Sequence, residues 1–174
     1  MTTTVYLSGP ISDMTYKSAS DWREALTGIF THNGLRVLDP MRGKSFLSNQ
    51  KSIKREVYEA MARPDLSDKA LVNRDHADVA NADIVLVNLL PATKVSIGTM
   101  FELAWAMHQR KIVVILMQEG NPHDHPFVRE SGVIFERMDE AVQYVLSSQG
   151  ADPSPAPTFG VIERETAELL GGPR

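Results

Sequence analysis

The residues from Ile84 to Leu90 form an apolar run that opens with Ile84-Val85-Leu86-Val87 and shows no polar alternation. A strand of this kind has both faces covered, and helices lying on both faces of a sheet belong to parallel architectures. Parallel strands need long crossovers, so the run commits the chain to alternating strands and helices. The remaining apolar segments fall into that pattern. Val5-Tyr6-Leu7 stops at the turn Ser8-Gly9-Pro10, Leu35-Arg36-Val37-Leu38 is closed by Asp39-Pro40, Ile112 to Met117 follows Lys111, and Val133-Ile134-Phe135 forms a last short strand. Helical spacing fills the gaps over 18–32, 68–81, 98–109 and 139–146. Five mainly parallel strands alternating with helices predict a doubly wound α/β sheet.

The helix over 18–32 carries the stripe Ala19, Trp22, Ala25, Leu26, Ile29 and Phe30, with Ser18 or Ser20 as its cap and Asn33-Gly34 as its end. The helix over 98–109 is apolar almost all round, which predicts that it is largely buried. Met41 to Pro64 is expected to be a solvated basic loop leading into a surface helix, the sharper alternative being that Arg42 or Lys44 lies over a ligand.

With 174 residues and 43% hydrophobic side chains, the chain can bury one sizeable core. A single α/β catalytic domain is expected over 1–148. The Pro-rich tether from Gly150 to Pro157 and the amphipathic stretch Val161 to Leu170 make up a tail over 149–174. Eighteen basic against 22 acidic residues give a net charge of −4, which offers no broad field for a nucleic acid polymer or an anionic membrane. Without cysteine the chain has no disulfide framework, thiolate zinc site or cysteine nucleophile, and a cytoplasmic location is expected.

Open α/β sheets bind ligands at the carboxyl ends of their strands, and two acids, Asp75 and Glu102, are expected to flank that end of a central strand. Thr99-Met100-Phe101-Glu102 fits a capping box, with Thr99 as cap and Glu102 reaching back. In the first helical turn the free amides would also keep Glu102 ionised. A lone charge among apolar neighbours is costly unless it is paired or used. Asp75 has an alternative reading as a helix-surface charge near Arg74 and His76, and Asp83 reads as a turn or cap residue. Two carboxylates around one anomeric carbon suit glycosidic chemistry with retention, one attacking carbon and the other managing the proton of the leaving group. Tyr6 and Trp22 read as core aromatics, although Tyr6 at the end of its strand can show its hydroxyl to the site. His123-Asp124-His125 lacks an obvious third ligand for a metal and is expected to contact ligand or a partner subunit. Gly9 and Gly98 make no dinucleotide fingerprint, and no Walker loop is present.

Three motifs in order carry a family resemblance: Tyr6-Leu7-Ser8-Gly9-Pro10, Asp75 eight residues before Asp83 and its strand, and Gly98 to Ala106 around Glu102. On these the chain resembles the nucleoside 2-deoxyribosyltransferase family over roughly residues 4 to 146, within a superfamily that includes nucleoside 5′-monophosphate N-glycosidases. The resemblance implies a flavodoxin-like fold, Glu102 as nucleophile, Asp75 as the acid assisting the departing base, and Tyr6 beside the nucleophile. Ser8, Gly9, Pro10, Ser96, Gly98 and Arg42 are expected around the substrate, a nucleoside or nucleotide together with a free nucleobase. No metal or organic cofactor is implied, and a homodimer or higher homo-oligomer would share its active sites. Ser96, six residues before Glu102, departs from the aspartate usual in the transferases and matches the serine of the nucleotide N-glycosidases. The expected activity is deoxyribosyl transfer through a covalent glutamyl intermediate. Nucleotide N-glycoside hydrolysis is the alternative, and a non-catalytic nucleotide-binding protein is a third reading.

Overall fold

The computed structural model describes residues 2–149. The elements run β1 (Thr4–Ser8), α1 (Tyr16–His32), β2 (Arg36–Leu38), α2 (Arg55–Ala60), α3 (Asp68–Asn81), β3 (Ile84–Asn88), α4 (Ile97–His108), β4 (Ile112–Leu116), α5 (Pro126–Arg129), β5 (Val133–Phe135) and α6 (Met138–Ser147). All five strands are parallel, in the order β2-β1-β3-β4-β5, with Val5 beside Ile84 and Ser8 beside Val87. This is a flavodoxin-like α/β sheet. Its Pro-rich tether and the stretch Val161 to Leu170 lie outside the described residues.

Strand alternation divides the core in two. Val5, Leu7, Ile84, Leu86, Val114 and Leu116 pack under α1 and α6, against Leu26, Phe30, Val142 and Val145. Tyr6, Val85, Val87, Val113 and Ile115 pack on the opposite face against Val79 of α3 and Leu103 and Ala106 of α4. A satellite cluster of Ala19, Met41, Leu47 and Ile53 supports the loops above the sheet.

Element ends follow local hydrogen bonding. The apolar run after Ile84 leaves the sheet at Asn88, whose Oδ1 accepts from the Leu90 amide at 3.1 Å and turns the chain. Leu35 falls outside β2 because its amide donates to Phe30 O at 2.9 Å and closes α1. α1 starts at Tyr16, earlier than expected, so its cap is Thr15 rather than Ser18 or Ser20; Thr15 Oγ1 accepts from the Ser18 amide at 2.9 Å.

The expectation for the helix after Ser96 also needs correction. At about 100° per residue, Thr99, Glu102, Leu103 and Ala106 share one arc and are the buried residues of α4. Ile97 and Phe101 lie opposite and are 73% and 58% exposed, with Met107 at the flank 54% exposed. An apolar helix has no polar stripe to mark its outer face, so composition alone cannot distinguish burial by the fold from burial by something else.

One charged residue sits inside the stripe of α1. Arg23 is fully buried, its Nε donating to Leu7 O at 3.2 Å and its Nη2 to Gly9 O at 2.9 Å, with Nη1 on Ala19 O. Its Nε also lies 3.7 Å from Asp39, and the guanidinium stacks 4.3 Å over Trp22. The arginine therefore ties the end of β1 to α1 and to the chain leaving β2. Removing it takes the guanidinium donors from the carbonyls of Leu7 and Gly9 and the neighbouring cation from Asp39, so Arg23→Met should cost about 3 kcal/mol. That is a fall in Tm of roughly 6–12 °C for a chain of this size; a melting curve displaced by less than about 2 °C would contradict this role.

Candidate active site

Tyr6 and Ser8 are two residues apart on β1, so both side chains leave the sheet on the face covered by α4. There they meet Glu102. Tyr6 Oη donates to Glu102 Oε1 at 2.8 Å, and Ser8 Oγ donates to Oε2 at 2.5 Å. Glu102 is 8% exposed, while Tyr6 and Ser8 are fully buried beneath it. Each carboxylate oxygen thus has its own hydroxyl, which fixes the rotamer and aims the remaining lone pairs outward.

This arrangement replaces the capping box. The cap of α4 is Ser96, whose Oγ accepts from the Thr99 amide at 3.5 Å and the Thr99 hydroxyl at 2.9 Å. Glu102 then lies in the second helical turn, beyond the amides that would hold it ionised. Burial instead pushes its pKa up to about 7, opposed by the Ser8 hydroxyl, aided by the negative Asp75, and opposed further by Tyr6 and Arg23. Tyr6 itself is pushed well above the ordinary tyrosine range by burial and by the adjacent Glu102, so it remains a proton donor.

Glu102 opens on a cleft of about 480 Å³ beyond the carboxyl ends of β1 and β3. This is where strand order reverses, and the two connecting loops diverge to leave a crevice. Gly9 and Pro10 line it from β1, Asp75 from α3, and Ser96 and Gly98 from the start of α4. The fold therefore brings both predicted acids to one cleft, with six of the other predicted residues lining it or lying directly beneath. Gly9 has a steric reason to be glycine, since a Cβ there would come within 2.9 Å of Asn88 O. Gly98 is not a turn residue; it lies in the first turn of α4 with open space where a side chain would stand. The Asp75 carboxylate accepts from Arg74 Nη2 at 3.0 Å and Nε at 3.2 Å.

Arg42 is not brought to the cleft. Its guanidinium forms a two-pronged pair with Asp78 at 2.6 and 2.9 Å, and the residue that lines the cleft from this loop is Lys44. The triplet after Pro122 is also dispersed. His123 Nε2 accepts from the Ser96 amide at 2.8 Å with Nδ1 facing Asn121 Oδ1, Asp124 pairs with Arg129, and His125 Nδ1 caps α5. Burial holds His123 below the usual histidine range, which suits a neutral ring accepting at Nε2. His123 thereby anchors the entry of α4. Arg23 and His123 were missed in these roles, and the only signal for Arg23 was a charge at a stripe position; of the alternatives Arg42 and Lys44, it is Lys44 that lines the cleft.

A family model described as nucleoside 2-deoxyribosyltransferase matches residues 5–151. No curated protein matches the chain. Among solved structures the fold is similar to a Clostridium botulinum CMP N-glycosidase, BcmB, at 17% identity over 82% of this chain and 96% of that one, with a TM-score of 0.52. It is also similar to a molybdenum cofactor binding protein from the phototrophic bacterium Rippkaea orientalis, at 15% identity over 86% of this chain and 98% of that one, with a TM-score of 0.54.

The raised proton affinity of Glu102 has a stability consequence. Its contribution favours the fold fully below about pH 4.5, the ordinary value, and is lost as pH rises through about 7. Glu102→Gln escapes that loss, so its Tm should exceed the wild-type value by about 5 °C at pH 8 and by much less near pH 5. Equal gains at both pH values in calorimetric scans would show that ionisation of this group is not the cause.

Proposed function

We propose that this chain, which belongs to the nucleoside 2-deoxyribosyltransferase family, moves a 2-deoxyribosyl group from one nucleobase to another through a covalent intermediate on Glu102. The observation that carries this reading is the Glu102 carboxylate, held at both oxygens by Tyr6 and Ser8 and facing a cleft that Asp75 also lines. Such a carboxylate is positioned without a counter-charge, and the rigid aim lowers the entropic cost of attack. In the first half-reaction a Glu102 oxygen bonds to C1′ as the C1′–N bond breaks, through an oxocarbenium-like transition state, and Asp75 manages the proton of the departing base. An incoming base reverses these events. Tyr6 and Ser8 act through Glu102, whereas Gly9, Pro10, Ser96 and Gly98 form walls for the sugar and base.

A second reading, hydrolysis of a nucleoside 5′-monophosphate, draws on Ser96. This hydroxyl sits at the amino end of α4, where unpaired amides favour an anion, although it already accepts from Thr99. Incubating the protein with a deoxynucleoside and a second free base separates the readings. Base exchange is the expected result, with kcat/KM rising as Glu102 ionises through about pH 7. Loss of about 10³-fold or more is expected in Glu102→Ala with the fold intact. Free base and sugar phosphate released from a deoxynucleotide would favour the hydrolase, and ligand binding without turnover would favour a sensor.

The reading extends to a second copy of the chain. Ile97 and Phe101 expose the apolar outer face of α4, and Ile97 also lines the cleft. A homodimer or higher assembly across this face would close the cleft from water and protect the glycosyl ester. Phe101→Glu should then sediment as a monomer and lose transfer activity; an unchanged sedimentation coefficient would remove this face from the assembly.

A further inference from the structure

Lys44 is the buried lysine among the described residues, at 4% exposure. Its position follows from the turn after β2. Gly43 adopts φ +73°, and the Lys44 amide donates to Met41 O at 3.1 Å, so the chain reverses between Arg42 and Lys44. Arg42 is sent outward to Asp78 and Lys44 inward to the cleft. The ammonium lies 5.4 Å from the centroid of the Tyr58 ring, and no hydrogen bond or ion pair engages it among the described residues. Since no solvent-excluded side-chain nitrogen or oxygen among those residues lacks a hydrogen-bond partner, Nζ keeps its small exposure on the side of the cleft. A buried ammonium with open donor valences is costly, and a ligand acceptor offsets that cost. Burial and the neighbouring Arg74 push Lys44 down to about 8, opposed by Asp75, so it still carries its proton at neutral pH.

Glu102, Asp75, Lys44 and Tyr58 line the same cleft. In displacement at carbon the nucleophile and leaving group occupy opposite sides, which directs the base away from Glu102 and onto the other residues that line the cleft, Lys44 and Tyr58 among them. A lysine is donor-only, and the Tyr58 ring beside it suits a flat partner.

We propose that Lys44 and Tyr58 form a cationic subsite for a heteroaromatic base bearing negative charge, which in the reaction proposed above is the departing nucleobase. The subsite rests on that reading for its role in catalysis. As the C1′–O bond to Glu102 forms and the C1′–N bond breaks, the electron pair passes to the base. The negative charge leaves the glutamate and arrives opposite the Lys44 ammonium, and the proton the base finally takes comes through Asp75.

The test uses 5-nitrouracil, an acidic heterocycle that is anionic at neutral pH, and uracil, which is neutral. Calorimetric titration at pH 7 should show the wild-type chain binding 5-nitrouracil about ten-fold or more tighter than uracil. Lys44→Met should abolish that preference and leave uracil affinity within about two-fold, with Lys44→Gln as a second variant should the first fail to fold. A preference that survives either folded variant, or a wild-type chain that shows none, overturns the subsite. In the exchange assay Lys44→Met should slow thymidine by about 100-fold and 5-fluoro-2′-deoxyuridine, whose base departs more easily, by less than about ten-fold. Equal losses on both would overturn its part in base departure. Absence of exchange in the wild-type chain alongside Lys44-dependent binding of 5-nitrouracil would sink the transferase reading and leave the subsite standing.

Discussion

The contact on which the molecule turns is a carboxylate taken out of water and held by two hydroxyls from the neighbouring strand. Desolvating Glu102 would be prohibitive for an unpartnered anion, and Tyr6 and Ser8 make it tolerable without supplying a counter-charge. The result is a group poised near neutrality, with a pKa of about 7 rather than that of an exposed acid. A salt bridge to arginine would have held it ionised but less reactive. Here the nearest cation acting on it, Arg23, works mainly through the backbone, gripping the carbonyls of Leu7 and Gly9 on either side of Ser8.

That contact depends on architecture at three scales. Period-two alternation turns positions 6 and 8 of β1 to the same face, so one strand supplies both hydroxyls. The parallel pairing of β1 with β3, and the reversal of strand order between them, opens the crevice above. The amino end of α4 is then fixed by Ser96 within its own chain and by His123 from the loop after β4. Loosening any of these moves the carboxylate relative to Asp75. Displacement chemistry is sensitive to such errors at the scale of an ångström.

The electrostatics of the cleft follow the same economy. Arg74 pairs with Asp75 and also reaches Pro40 O, while Arg42 is spent on Asp78. Lys44 is the buried cation that lines the space a ligand would fill. Two carboxylates, Glu102 and Asp75, and a buried ammonium thus line one cleft.

Local chemistry made much of this legible. α3 over Asp68–Asn81 and β5 over Val133–Phe135 fall where periodicity places them, and the two acids that line the cleft were visible as carboxylates near apolar segments. What could not be read locally were roles set by partners distant in the chain. Ser96 and Thr99 both offer a capping hydroxyl, and only the path of the loop from Asn88 chose Ser96. Arg23 drew no reading because nothing near it in sequence announces the carbonyls of Leu7 and Gly9. Arg42 and Lys44 are two residues apart and were interchangeable until the left-handed turn at Gly43 sent them opposite ways. The sequence by itself determined the alternating sheet and the identity of its acids, because hydrophobic period and side-chain chemistry are local quantities. Tertiary structure decided which groups lose water, which charges meet and which face of α4 stays open, because burial and Coulomb interaction depend on neighbours brought together only by the fold.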